Sequence, residues 1–220
     1  FRPFDLLRKM FSDGILSISF VPVFSSYLEK QRKDQAIAMF LSGLFLVSFC
    51  GILLVSMGIV FAPFLVKIIA PGFAGGSYTY SLTVILLKIM LPYLLTILGL
   101  ALCMGVLNSL GNFSIPAATP IVLNLVVIFS AFFGASYFDP PVIGLALGVV
   151  LGGMAQLALQ VPFLVRQGML RFSCFTWLHP GMIKVGKIMI PCMVGAASYQ
   201  INVMIAGLFA STLSQGSVSF

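Results

Sequence analysis

Charge is scarce in this chain: Asp, Glu, Lys and Arg make up 8% of its 220 residues, against about 25% in an ordinary soluble domain. With 5 acidic side chains and one histidine, the groups that perform acid–base chemistry or hold metals are few. The 4 cysteines, Cys50, Cys103, Cys174 and Cys192, lie far apart without a Cys-x-x-Cys pair. They read as buried inert thiols, not as a zinc or redox site. A Walker glycine loop, paired catalytic carboxylates and a Ser-His-Asp arrangement are all missing. Asp5 and Asp13 each have a basic neighbour and suit ion pairing better than catalysis. An enzyme, a metal centre, a bound cofactor and direct ATP use are therefore not expected.

Apolar sequence is what the chain has in quantity. Hydrophobic residues make up 60% and the mean hydropathy is +1.14. Several runs exceed the roughly 18 residues that cross a bilayer as a helix, so the fold class is all-α, a polytopic helical membrane protein. A net charge of +7 would also suit nucleic acid. The bases sit between apolar runs, however, as juxtamembrane Lys and Arg do, and no nucleic-acid partner is expected. The chain has no signal-peptide pattern. It opens inside an organised motif and stops in GSVSF, which reads as part of a longer protein.

Six spans can be drawn: one ending near Tyr27, then about 35–69, 82–107, 114–133, 142–165 and 186–213. The connector YLEKQRKD at 27–34 carries Lys30, Arg32 and Lys33. Four spans later, the connector before the last span carries Arg166, Arg171 and Lys184, with His179 and Lys187 nearby. Both connectors face one side, and the positive-inside rule makes it the cytoplasm. The loops at 70–81 and 134–141 then face outward, with Asp139 their one charged residue and Lys67 an exception at an outward end.

That topology sets the opening FRPFDLLRKMFSDG at odds with the rest. Arg2, Arg8 and Lys9 fall at the outer end of the first span or within the membrane. Two readings are open. The bases snorkel to outer headgroups, with Asp5, Lys9 and Asp13 paired at i,i+4 spacing. Alternatively, Arg8 faces an aqueous or protein-lined cavity, where intramembrane charge is usually found. Lys88, in LTVILLKIMLPYLL, is a second candidate for an anion-facing group, since no helical carboxylate is near it. The intraspan prolines Pro22, Pro63, Pro92, Pro116, Pro120, Pro162 and Pro191 loosen helices. Gly148, Gly152 and Gly153 offer a face for close helix packing. Gln156, Gln160, Gln200 and Asn202 suit bonding between helices.

Five stretches, in order, carry a family resemblance: PFDLLRKMFSDGILSISFVPVF, PGFAGG, NSLGNFSIPAATPIVLNL, GGMAQLALQVPFL and SYQINVMIAGLFASTLSQGSVS. Together they resemble the MurJ/MviN lipid II flippase family of the multidrug/oligosaccharidyl-lipid/polysaccharide exporter superfamily. The resemblance covers essentially the whole chain, as an N-terminal portion running from partway into the second transmembrane helix through the seventh. It implies a partial MATE-like two-lobe transporter fold. Residues 1–183 would form an N-terminal lobe lacking its first helix, and 184–220 the first helix of the C-terminal lobe.

The resemblance also implies the activity. Undecaprenyl-pyrophosphate-linked peptidoglycan precursor, lipid II, moves from the inner to the outer leaflet of the bacterial cytoplasmic (inner) membrane by alternating access. Membrane-potential or ion-gradient coupling, membrane lipids and the cell-wall synthesis machinery enter as further expectations. The alternative is a related exporter of another polyprenyl-linked glycan or an amphipathic drug. Of the implied transport residues, Arg8 matches the family's required arginine. Asp13 stands where the family usually has glutamate, and Ser219 matches the second serine of its GSVS segment. Arg2 and Lys9 match basic motif positions of lower rank. The family often has proline and asparagine before LLR, whereas this chain has Pro3-Phe4-Asp5.

Overall fold

The computed structural model describes residues 15–69, 77–134, 137–171 and 175–212. They form seven α-helices: α1 (Ile15–Glu29), α2 (Lys33–Ile69), α3 (Tyr78–Met90), α4 (Pro92–Ser109), α5 (Ser114–Phe129), α6 (Val142–Arg166) and α7 (Pro180–Thr212). A short π-turn, Ser130–Gly134, extends α5. Four segments are long and apolar enough to cross a membrane: Lys33–Ile68, Tyr78–Ser109, Ser114–Gly134 and Val142–Arg166. These correspond to four of the six expected spans, and α1 and α7 occupy the other two. The chain is an all-α, multi-pass membrane segment.

The expected span at 82–107 falls within the single membrane-long segment Tyr78–Ser109, which is built of two helices in series. Leu91 separates α3 from Pro92, the first residue of α4. Proline has no N–H to give the Lys88 carbonyl four residues back, so the helical ladder is interrupted there. The span also begins earlier than expected, at Tyr78, where the Ser77 hydroxyl accepts the Tyr80 N–H at 3.2 Å and caps the helix. Similarly, the last span begins at Pro180 rather than near 186. Proline at a first helical position costs no hydrogen bond.

α4 is the hub, packed against α1, α2, α3, α5 and α6. Its side chains Leu102, Val106 and Leu107 meet Phe20 and Phe24 of α1, Ile37 and Phe40 of α2, and Val185 of α7 in one buried cluster. Met169, from the connector after α6, joins them. The core thus lies at the end where the 27–34, 108–113 and 167–179 connectors meet. The far half of α2 is mostly exposed, including Phe49, Ile52, Leu53, Phe61 and Phe64. In a protein whose surroundings are hydrocarbon, such apolar exposure is ordinary.

The chain leaves α1, α4 and α6 by the same device. Met169 N–H bonds to the Leu164 carbonyl, Asn112 to Leu107, and Arg32 to Tyr27. Each is the wide hydrogen bond of a Schellman stop, which needs one residue in left-handed backbone. Glycine supplies it at Gly111 (φ 77°) and Gly168 (φ 71°), but at the end of α1 it is Gln31 (φ 55°). Gln31→Gly is therefore expected to stabilise the fold by about 0.5–1 kcal/mol and Gly111→Ala to destabilise it by about 1 kcal/mol. Thermal unfolding in detergent measures both.

Glycines draw α5 and α6 together as expected. A Cβ at Gly152 would stand 2.6 Å from Leu123 Cδ1, and one at Gly144 would stand 2.9 Å from the Gly134 carbonyl. At Gly148 it would run into Ser130, whose hydroxyl donates to the Gly144 carbonyl at 2.6 Å. Gly153 faces the other way, against Tyr93 and Thr96 of α4. Among the described cysteines, the expectation of buried thiols holds for Cys103 alone. Cys50 is exposed on α2 and Cys192 is intermediate, because both lie on faces that the described helices do not cover.

Candidate functional site

Arg2, Arg8, Lys9, Asp13 and Ser219 lie outside the described residues, as do Asp5 and Cys174. What is described is the setting of the helix that follows the opening motif. α1 packs on α2, α4 and α7, burying Ser19, Phe20, Val23 and Phe24. Ile18 and Pro22 remain exposed on its other side. α1 therefore belongs to the interior of the bundle on one face and is open on the other.

Lys88 sits one turn before the α3–α4 break, exposed and without a hydrogen bond or ion pair to another described residue. The carbonyl that Pro92 leaves without its helical donor is its own. The break thus places an exposed ammonium beside a backbone carbonyl that lacks its helical donor. None of the other expected transport residues falls among the described residues, so the described helices bring no two of them together.

A polar seam lies between α5 and α6. Pro120 leaves the Pro116 carbonyl without a helical donor, and the Thr119 hydroxyl takes the place of one at 2.7 Å. The Gln156 amide then donates to the Thr119 carbonyl at 2.9 Å, the interhelical bond expected of it. Gln160 departs from expectation. It is fully buried, and neither its amide nitrogen nor its oxygen has a partner among the described residues. Asn202 is exposed, and the side chain of Gln200 lies outside those described.

The second organised cluster ties the last connector to the ends of α1 and α2. Ser42 on α2, fully buried, donates to the Trp177 carbonyl at 3.2 Å and accepts the His179 N–H at 3.0 Å. His179 caps α7: its Nδ1 accepts the Gly181 N–H at 3.1 Å, while Tyr27 of α1 meets the ring edge-on at 5.3 Å. An imidazole that accepts through Nδ1 must be neutral, with its one ring proton on Nε2. Burial pushes its pKa below the ordinary 6.5, and a helix N-terminus disfavours the cation as well. Sequence reasoning counted His179 only as a nearby base. The signal that would have found it is a hydrogen-bonding side chain directly before a Pro-Gly helix start.

The sign of the pH effect follows. The unfolded chain takes up the proton first, so His179 contributes stability that is present above pH 6.5 and is lost as the pH falls through the lower folded value. His179→Asn keeps a capping acceptor without a titrating ring. Its thermal stability is expected to lose that acid-side component, in melts compared between neutral and mildly acidic buffer.

Among the described residues there is no group of His, Cys, Asp and Glu able to hold a metal ion. The described geometry is that of packed spans with one helix interrupted at a proline, an exposed cation and an anchored connector.

The family model for lipid II flippase MurJ matches residues 1–220. A protein named "Probable lipid II flippase MurJ" from Buchnera aphidicola subsp. Acyrthosiphon pisum is 40% identical over 217 residues, covering 98% of this chain and 42% of the relative. The like-named protein of Vibrio cholerae is 35% identical over 225 residues, 98% of this chain and 42% of its own length. "Lipid II flippase MurJ" of Burkholderia cenocepacia is 32% identical over 224 residues, covering 100% and 43%. The chain thus spans less than half the length of these relatives, while the family model matches it from end to end. On that match, the chain belongs to the MurJ lipid II flippase family.

Proposed function

We propose that the protein containing this chain flips lipid II from the inner to the outer leaflet of a bacterial cytoplasmic membrane by alternating access. The observation that carries this reading is the family match across residues 1–220. The charge pattern supports it independently, since a cation cluster on the wrong side for the positive-inside rule needs a use. MurJ-family proteins are transporters rather than enzymes, and flipping breaks no covalent bond. In the proposed architecture, residues 1–183 belong to the N-terminal lobe of a MATE-like fold and residues 184–220 begin the second lobe.

Arg8 is the proposed primary contact. A guanidinium is always charged and presents paired donors that match a pyrophosphate. Asp13 and Ser219 are proposed as polar partners, with Arg2, Lys9 and Lys88 as further cations of a substrate-facing wall. Membrane potential or an ion gradient supplies the bias, about 2.3 kcal/mol per elementary charge across 100 mV. Membrane lipids surround the protein, and the cell-wall synthesis machinery supplies and consumes its cargo.

The reading is tested with the full-length protein in proteoliposomes, following transbilayer movement of lipid II and of a polyprenyl monophosphate glycan. Protein-dependent movement of lipid II with little of the monophosphate supports it; equal movement of both, or of an amphipathic drug instead, contradicts it. Lys88→Met separates function from folding. An exposed side chain with no partner among the described residues should alter stability by less than about 0.5 kcal/mol. Its thermal midpoint is expected to match the wild type while lipid II movement falls.

A further inference from the structure

The connector between α6 and α7 carries a hydrophobic tip that the described helices leave uncovered. Trp177 is 73% exposed and Leu178 56% exposed, although the Ser42 hydroxyl holds the Trp177 carbonyl and the His179 N–H on the two sides of Leu178. A tip that is uncovered yet positioned by buried hydrogen bonds needs a partner whose place in space is fixed.

The position of the tip along α2 indicates that partner. The Trp177 ring meets Phe45 edge-on at 5.0 Å, and Phe175 joins both. Phe45 lies where the character of α2 changes. From Ala36 to Leu41 the helix is buried in the core, whereas Phe45, Phe49, Ile52 and Leu53 are exposed. Phe45 is twelve residues, or about 18 Å, along α2 from Lys33. α2 has 37 residues, about 55 Å of helix for a hydrocarbon layer of about 30 Å. Its apolar exposed face therefore begins near the cytoplasmic edge of that layer, level with Trp177. Arg166, Arg171 and Lys184 are exposed on the same connector and the start of α7. Tryptophan beside Lys and Arg is the residue combination of the headgroup region.

The geometry points to Trp177 and Leu178 as an interfacial anchor, seated among the phosphate headgroups and first acyl carbons of the cytoplasmic leaflet. The partner is the lipid surface itself. The indole and the leucine enter the apolar edge while the neighbouring bases meet lipid phosphates. The two Ser42 bonds, to the Trp177 carbonyl and from the His179 N–H, fix the depth of the tip relative to α2, so the start of α7 is held at the membrane surface. This inference does not depend on what the protein transports.

Trp177 is the only tryptophan in the 220 residues, which provides the experiment. The full-length protein, with any tryptophan outside this chain replaced by phenylalanine, is reconstituted in vesicles of phosphatidylethanolamine and phosphatidylglycerol. Acyl chains are brominated either near the carbonyl or near the methyl end. Emission should fall about twofold with the shallow label and much less with the deep one. Efficient quenching by aqueous iodide with none by either lipid would place the indole in water and overturn the proposal. Insensitivity to all quenchers would place it under protein and overturn it equally. Where those replacements lower the yield, a nitroxide on Leu178→Cys reads the same depth: greater accessibility to oxygen than to a polar nickel chelate supports the anchor, and the reverse refutes it.

Discussion

Gly144→Leu in the full-length protein is expected to unfold the α5–α6 pair or prevent its assembly. At Gly144 even a methyl group would stand 2.9 Å from both the carbonyl carbon and oxygen of Gly134. That obstacle is backbone, which cannot rotate away as a side chain would. Overpacking a fitted interior costs about 1–3 kcal/mol and sometimes more, and a leucine here must also break the Ser130 bond to the Gly144 carbonyl. A loss of at least about 3 kcal/mol is expected, seen as low yield and a broadened, early thermal transition in detergent. Gly186 is the internal comparison, because nothing described lies within 4 Å of a Cβ added there. Gly186→Leu should leave the transition nearly unchanged. Equal behaviour of the two variants would show that the close approach of the helices is not what holds the pair.

Close packing at these glycines was legible in the sequence because Gly148 and Gly152 recur at the spacing of one helix face. Four of the six expected spans, and the meeting of the basic connectors at one end of the bundle, were legible for a similar reason: hydrophobic length and charge placement are one-dimensional signals. The ends of the helices followed less well. The sequence shows Pro92 inside an apolar run, but whether proline bends a helix or starts a new one depends on the neighbours that receive the freed carbonyls. Exposure of Cys50 and the lack of a partner for Gln160 among the described residues depend on which helix faces each residue, information that hydropathy does not contain. The Ser42–Trp177–His179 anchor joins residues more than 130 positions apart, and no local pattern announces it.

Arg8→Ala is the second large expected effect. It should abolish lipid II movement, by at least about tenfold and consistent with loss of a charge-assisted contact worth about 1.5–3 kcal/mol, while membrane insertion and the thermal midpoint stay close to wild type. Arg8→Lys retains the charge but not the planar pair of donors, so partial activity is expected. Were the arginine merely snorkelling to outer headgroups, lysine would replace it fully and alanine would cost little. The three-way comparison therefore separates the two readings that the charge pattern leaves open.

The most direct measurement is the accessibility of lipid II, in cells that depend on the full-length protein, to a modifying reagent that cannot cross the membrane. With wild type, much of the lipid II should be modified from outside. With Arg8→Ala, present in the membrane at equal amount, the lipid should stay protected. Undiminished outside modification in the Arg8→Ala cells would contradict the proposal that this arginine carries the pyrophosphate across.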